Sequence, residues 1–351
     1  MIRKSSLSVV FTFLLWGSAC APGDEESLTG RPAWEPQHFE RAVSIRGLCA
    51  VDARTAWLSG ERSTIARTED GGCSWRLLPA PTADTLDFRD IEAFDGQRAV
   101  VMSAGPGARS RVYHTENGGQ SWKLALQNDY EAGFFNGLAF WDDRHGILTG
   151  DPVDGALFVA LTGDGGRSWR RISPDALPPV DSAEYGFAAS GTHIATDGDR
   201  LVWIGTGGRR ARVFRSADRG RFWSVHATPM ISGEASTGIF SLAFLDDRQG
   251  IAVGGDYARP DYRGANVMRT TDGGRSWQLL EDRSLPYRSC VRAVDGHYLA
   301  VGPTGTDLSF DQGRSWQPID TIGYHVLSVG NSPEAVWAAG AEGRVGKLVW
   351  K

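Results

Sequence analysis

Six short polar side chains recur along this chain at near-regular intervals: Asp70, Asn117, Asp164, Asp218, Asp272 and Asp311. Each sits in the same eight-residue setting, which reads Thr68-Glu-Asp70-Gly-Gly72-Cys-Ser74-Trp75 in the first copy and Ser309-Phe-Asp311-Gln-Gly313-Arg-Ser315-Trp316 in the last. A row of carboxylates raises the question of metal ligation, but each Asp stands alone in its box, without the several ligands a cation needs. No metal site is therefore read here. What the setting does supply is a turn. The carboxylate accepts hydrogen bonds from nearby backbone N–H groups, Gly provides positive φ, and the flanking Ser or Thr satisfies further backbone groups. Trp75, Trp122, Trp169, Trp223, Trp277 and Trp316 then start the next strand and are expected on buried surface. Asn117 in place of Asp, and Phe222 in place of Ser or Thr, are departures that should keep the turn.

The tryptophans are spaced 47, 47, 54, 54 and 39 residues apart, the period of a repeat architecture. Three short apolar runs precede each box. The first recurs seven times, as Gly47–Val51, Asp90–Phe94, Gly137–Phe140, His193–Thr196, Ser241–Phe244, Cys290–Val294 and Val326–Val329; the second is typified by Ala56–Leu58 and the third by Arg111–His114. Short β-rich runs punctuated by Gly, Asp and Asn are strands and hairpins. Four per unit, repeated radially, make an all-β, seven-bladed β-propeller. The seventh unit stops where its box should begin, and Ala33-Trp34-Glu-Pro-Gln37 resembles a Trp strand, so the N-terminal strand is expected to join the C-terminal blade and close the ring. The propeller is assigned to residues 33–351.

Residues 1–19 read as a secretory signal peptide: Arg3 and Lys4, an apolar run from Leu7 to Trp16, and small residues before Cys20. Those small residues resemble a lipoprotein box, which makes Cys20 the lipidated N-terminus and residues 20–32 a polar tether, with ordinary secretion as the alternative. The expected location is the cell envelope, on the periplasmic face of the outer membrane or the cell surface, with the lipid as the sole membrane contact. Removing Arg3 and Lys4 with the leader takes the net charge from −5 to −7, which disfavours a nucleic-acid partner. Of the remaining cysteines, Cys49 and Cys290 read as buried free thiols and Cys73 as an idle box position. There is no nucleotide fingerprint and no metal-ligand spacing of histidines, so no cofactor is expected.

The boxes match the Asp-box of sialidase-like propellers. With the phrases Leu138-Ala-Phe-Trp-Asp142 and Leu242-Ala-Phe-Leu-Asp246…Gly250-Ile-Ala-Val-Gly254, about nine-tenths of the chain resembles bacterial relatives of the photosystem II stability and assembly factor. Gly186-Phe-Ala-Ala-Ser-Gly-Thr192 and Ala211–Ser216 resemble a non-photosynthetic subgroup. The resemblance implies the fold and a binding platform, and is weak for function. It does not carry over the photosystem partner.

Aligning the units selects one residue per blade at the start of each first strand: Arg46, Arg89, Asn136, Gly191, Phe240, Ser289 and His325, with Arg288 adjacent. Arg46, Arg89, Asn136, Arg288 and His325 form a candidate central ring that could receive an anion through its guanidinium groups, or could be plugged by Asp87, Asp90 or Glu92. The long top loops offer Asp256, Tyr257, Tyr262 and Arg263, with Asp151, Asp154, Glu184, Tyr185 and Glu234 beside them. Arg209, Arg210, Arg212 and Arg215 read as a solvated face or a docking patch. The expectation is a monomeric, non-enzymatic interaction platform for an envelope protein or a glycan, with no catalytic residue assigned. The alternative is a glycoside hydrolase, which needs two facing carboxylates, for which Asp151, Asp256 and Glu184 are candidates. Against a sialidase, Gly191 and Phe240 stand where further substrate-binding arginines would be sought.

Overall fold

Gly-punctuated hairpins and period-two apolar runs fold into seven antiparallel sheets. The structure is a computed structural model that describes residues 30–280 and 285–351. Blade I comprises Ile45–Ala50, Ala56–Gly60, Thr64–Thr68 and Arg76–Leu77. Blade II comprises Asp87–Ala93, Ala99–Ala104, Arg111–Thr115 and Lys123–Gln127, and blade III Phe135–Phe140, Gly146–Val153, Ala156–Thr162 and Arg170–Arg171. Blade IV holds Ile194–Asp197, Leu201–Gly205, Arg212–Ser216 and Trp223–Ala227; blade V holds Thr237–Phe244, Gly250–Asp256, Val267–Thr270 and Gln278–Leu279. Cys290–Val294, His297–Gly302, Gly305–Ser309 and Gln317–Asp320 make blade VI. Blade VII is Val326–Val329, Val336–Ala339 and Val345–Trp350, with Pro32–Gln37 as its outer strand, antiparallel and in register from Pro32 opposite Trp350 to Gln37 opposite Val345. The architecture is a seven-bladed β-propeller. No helix among the described residues is long and apolar enough to cross a membrane.

The six box turns share one hydrogen-bond pattern. In the first, Thr68 Oγ1 donates to Asp70 Oδ1 (2.8 Å), Gly72 N donates to Thr68 Oγ1 (2.9 Å), and Ser74 donates from N to Oδ1 (2.9 Å) and from Oγ to Oδ2 (2.6 Å). Asn117 keeps the turn by reversing one bond, its Nδ2 donating to Ser121 Oγ at 2.9 Å. At the Phe222 copy Ser216 Oγ still donates to Asp218 (2.8 Å), the main-chain N–H groups of Arg221 and Phe222 supply its other bonds, and the phenyl ring is exposed. The tryptophans are less uniform than expected: Trp277 is buried, whereas the other five are half-buried.

Packing between blades follows from this placement. Box tryptophans edge onto the second strand of the preceding blade, Trp75 on Trp337 (5.8 Å between centroids) and Trp122 on Trp57 (6.3 Å). Around the channel, side chains of one inner strand accept main-chain N–H groups of the next. Cys49 Sγ accepts from Ala93 (3.2 Å), Asp90 from Leu138 (2.8 Å), Ser241 from Val291 (2.9 Å), Cys290 Sγ from Leu327 (3.2 Å) and Ser328 from Ala50 (2.8 Å). Buried donors at the blade seams are thereby satisfied. Cys49 and Cys290 are buried free thiols. Cys73 is disulfide-bonded, which corrects its reading as an idle position. Cys20 and the leader lie outside the described residues.

Candidate binding face at the channel mouth

Four of the seven aligned residues are placed by one device. The ladder between first and second strands skips a residue at Arg46 in blade I, Arg89 in blade II, Asn136 in blade III and Phe240 in blade V. A bulge re-aims the side chain it carries, and here it brings these residues to the mouth of the channel. The mouth is crossed by the protein's own chain. The segment 186–192, leading into blade IV, places the Ala189 carbonyl on Arg46 Nη1 (3.2 Å) and the Ala188 carbonyl on Arg89 Nη1 (3.2 Å). Ser190 Oγ donates to the Ser289 carbonyl (2.8 Å), and Thr192 Oγ1 to Ser241 Oγ (2.6 Å). This strap is therefore tied to blades I, II, V and VI. Gly191 has φ +71°, and a Cβ there would lie 2.4 Å from both carboxylate oxygens of Asp90, so only Gly fits.

The expected ring comes together only in part. Arg89 also pairs with Asp87 (2.7 Å), and Arg288 turns into blade VI, where Asp307 (2.7 Å from Nε) and Thr304 (2.9 Å from Nη1) hold it. Among the described residues Arg46 is in no ion pair, and its Nε is buried without a partner. Burial first, and then the neighbouring Arg89, holds its pKa below the ordinary value. His325 is pushed down to about 3 by burial and by Arg46, Arg344 and Arg89, so it is neutral at physiological pH. Asn136 donates to Asp151 Oδ1 (2.9 Å), and burial raises Asp151 to about 7.

Beside the arginines lies an aromatic pile. Phe187 of the strap stacks on Phe240 at 3.8 Å between centroids, Tyr287 meets Phe240 edge-on at 4.8 Å, and Tyr257 stands edge-on to both Phe187 (6.4 Å) and Phe240 (6.1 Å). Tyr257 is 52% and Tyr262 44% exposed. Their loop is pinned by Asp256, which accepts from Ala258 N (2.9 Å) and pairs with Arg259 (2.7 Å), while Tyr287 N donates to the Pro260 carbonyl (2.9 Å). Arg263 lies on the same loop. Asp256 is thus the loop's anchor, and the two tyrosines are its exposed surface. Sequence reasoning missed Phe187 and Tyr287. The phrase Gly186–Thr192 was the available signal, since its Gly–small–Gly composition suits a close crossing over other backbone.

The carboxylates considered for hydrolysis have structural partners. Glu184 is buried, receives three hydrogen bonds from Arg212 (Nε 2.9 and 3.2 Å, Nη2 2.6 Å) and one from Thr206 (2.7 Å), and lies in the short strand Glu184–Tyr185 that pairs with Gly207–Gly208. Of the other loop acids, Asp154 pairs with Arg171 (3.1 Å), and Glu234 is placed through its main chain, whose carbonyl accepts from Thr237 Oγ1 (2.9 Å). Tyr185 donates to the Ala235 carbonyl (2.8 Å). Of the arginine cluster, Arg210 pairs with Asp181 (2.5 Å) and Arg212 with Glu184, so the cluster is divided rather than one patch.

Fold and mouth together define a strap-crossed propeller with an aromatic and cationic upper face. No family model matches the chain, and no curated protein matches it in sequence. In three dimensions it is similar to YCF48 bound to a D1 peptide, at 16% identity over 94% of this chain and 99% of that one, with a TM-score of 0.63. YCF48 from Cyanidioschyzon merolae gives 17% identity, 90% and 98% coverage and a TM-score of 0.64. The GH74 enzyme of Niastella koreensis gives 13% identity over 80% of this chain and 47% of that one, with a TM-score of 0.57. At these identities the likeness is one of fold.

Proposed function

We propose that this chain is a non-enzymatic interaction platform, related to the Asp-box propellers of the photosystem II stability and assembly factor type, whose channel-mouth face receives an extended segment of another envelope protein. The observation that carries the reading is Tyr257, half exposed and backed by the Phe187–Phe240 stack, in a pile whose Tyr287 lies within electrostatic reach of the half-buried Arg46, on a loop held by Asp256 and Tyr287. Rigid aromatic surface next to a guanidinium is the composition of binding hot spots. A structural neighbour that holds a D1 peptide supports a peptide ligand; a photosystem partner is not part of the proposal. The test is chemical cross-linking in envelope extracts with the wild type and a Tyr257→Ala, Tyr262→Ala variant. The variant should melt normally and lose its cross-linked partner at least tenfold. Equal capture by both proteins would refute the assignment of this face.

A glycoside hydrolase is the second reading, favoured by the GH74 neighbour and by Asp151, whose pKa near 7 suits a general acid. It requires a second, free carboxylate facing Asp151, and Glu184 and Asp256 are both engaged. Glycan turnover that vanishes in Asp151→Asn would establish it.

The proposal includes export by the signal peptide and anchoring through Cys20, with simple secretion as the alternative. Labelling with a fatty-acid analogue should mark the wild type and not Cys20→Ser. Labelling of neither would assign secretion.

A further inference from the structure

The opposite face, where the box turns lie, carries a second site. Two blade seams on this face can be compared residue for residue. Between blades II and III, Arg98 pairs with Asp143 (3.1 Å) and Glu116 accepts from Arg167 Nε (3.0 Å), with His114 behind them. These cross-seam pairs leave a crevice of only about 10 Å³. Strand register maps this seam onto the one between blades IV and V: Ala99 opposes Thr115 as Val202 opposes Ser216. Leu201 then occupies the place of Arg98, Ala217 that of Glu116, and Arg215 that of His114. Asp247 and Arg275 correspond to Asp143 and Arg167. Both cross-seam ion pairs are lost, and a base replaces the neutral ring.

The result is a cleft of about 480 Å³ lined by Arg200, Arg215, Arg248, Arg275, Asp247 and Asp272. Among the described residues none of the four arginines is in an ion pair, and Arg200, Arg248 and Arg275 are exposed. Arg215 is half-buried, with Nε on the Gly273 carbonyl (2.8 Å); burial and then Arg275 lower its pKa. Asp272 is consumed by its own turn, accepting from Ser276 Oγ (2.6 Å) and Thr270 Oγ1 (2.8 Å). Asp247 takes no hydrogen bond from any described residue. Four guanidinium groups against two carboxylates leave the cleft with an excess of two positive charges, the complement of a dianion. Its volume is that of a small-molecule site, planar guanidinium forks bind oxyanions bidentately, and a free carboxylate among them can accept from hydroxyl groups.

We propose that the seam between blades IV and V binds a hydroxylated phosphate monoester, of the kind presented by a polyol or sugar phosphate, free or as a lipid headgroup. The phosphate lies among Arg215, Arg248 and Arg275, and Asp247 receives a hydroxyl of the organic part. The site is independent of the channel-mouth reading and lies on the other face.

The test is titration calorimetry of the intact chain with glycerol 3-phosphate, beside flotation with vesicles containing phosphatidic acid. Saturable one-to-one binding is expected. Ala217→Glu supplies the acid that blade II already has, pairs with Arg275 as Glu116 pairs with Arg167, and should weaken binding at least tenfold with the melting temperature unchanged. Should that variant fail to fold, Arg248→Gln, at an exposed position, serves the same purpose. Glu116→Ala at the other seam should leave affinity unchanged. Response to glycerol 3-phosphate assigns a soluble ligand, and response to vesicles alone assigns a headgroup. Absence of both, tenfold tighter binding of an acidic peptide, or equal affinity in Ala217→Glu or Arg248→Gln would overturn the proposal.

Discussion

Asp90 holds two blades together and is, for that reason, sensitive to pH. Its carboxylate accepts from Ile91 N and Leu138 N. Burial, reinforced by Glu92, nevertheless raises its pKa to about 8. A carboxyl raised in the folded state stabilises fully below its unfolded value of about 4, and that stability is lost as pH rises through the folded value. The contribution of Asp90 to the melting temperature should therefore fall between about pH 4 and 8 and level off above that. Asp90→Asn should flatten that slope, even where a lost acceptor lowers the whole curve; an unchanged slope would remove Asp90 from the account. Box carboxylates have the opposite sign. Burial alone would raise Asp272, but hydrogen bonds from Ser276, Thr270 and the main chain hold it at about 2, so its contribution is present above about 4 and is lost as pH falls through 2. The box tryptophans also separate. Trp277 is buried and donates to the Gly274 carbonyl (3.2 Å), whereas Trp316 is half-buried with no partner for its Nε1. Trp277→Ala should cost ~3–5 kcal/mol in chemical denaturation, and Trp316→Ala clearly less.

At the scale of elements, the strands were legible because period-two apolar runs and Asp–Gly turns report local conformation. First strands begin up to four residues earlier than their apolar cores: Thr237–Phe244 was read from Ser241 onward. The reason is the bulge, which breaks alternation at Phe240, as at Arg46, Arg89 and Asn136, and hides the start of the strand. Alignment still found these positions, since a bulge recurs at one place in the repeat. What alignment could not give was their partners. Arg288 meets Asp307 across its own blade, and Arg46 and Arg89 meet carbonyls of a strap from the far side of the ring. Gly191→Ala tests the strap. Positive φ alone makes Ala unfavourable by more than ~1 kcal/mol, as at Gly198, where a Cβ meets nothing within 4 Å. At Gly191 the Asp90 carboxylate adds a clash, so Gly191→Ala should destabilise well beyond Gly198→Ala. Equal losses would mean that the strap moves freely off Asp90.

At the scale of the whole molecule, the strand Pro32–Gln37 joins the two ends of the described propeller, and Trp34 is its anchor. The indole is 6% exposed, donates to Thr306 Oγ1 of blade VI (2.9 Å) and lies 5.2 Å from the Tyr324 ring. Without it, blade VII would present its Val345–Trp350 strand as an unpaired edge, and the packing that ties blade VI to blade I through blade VII would loosen. Trp34→Ala should therefore lower stability by ~3–5 kcal/mol and leave one cooperative transition, because the blades share their seams. Cys290 provides a local readout. It is fully buried in the same apolar cluster as Trp34, with its sulfur accepting from Leu327 N at the VI–VII seam. In the wild type its thiol should react with an alkylating reagent only through global unfolding. In Trp34→Ala the rate should rise more than that of Cys49, which sits at the I–II seam. Equal acceleration of both thiols would mean that the ring opens everywhere at once, and that Pro32–Gln37 stabilises the propeller without acting as the fastening of one particular seam.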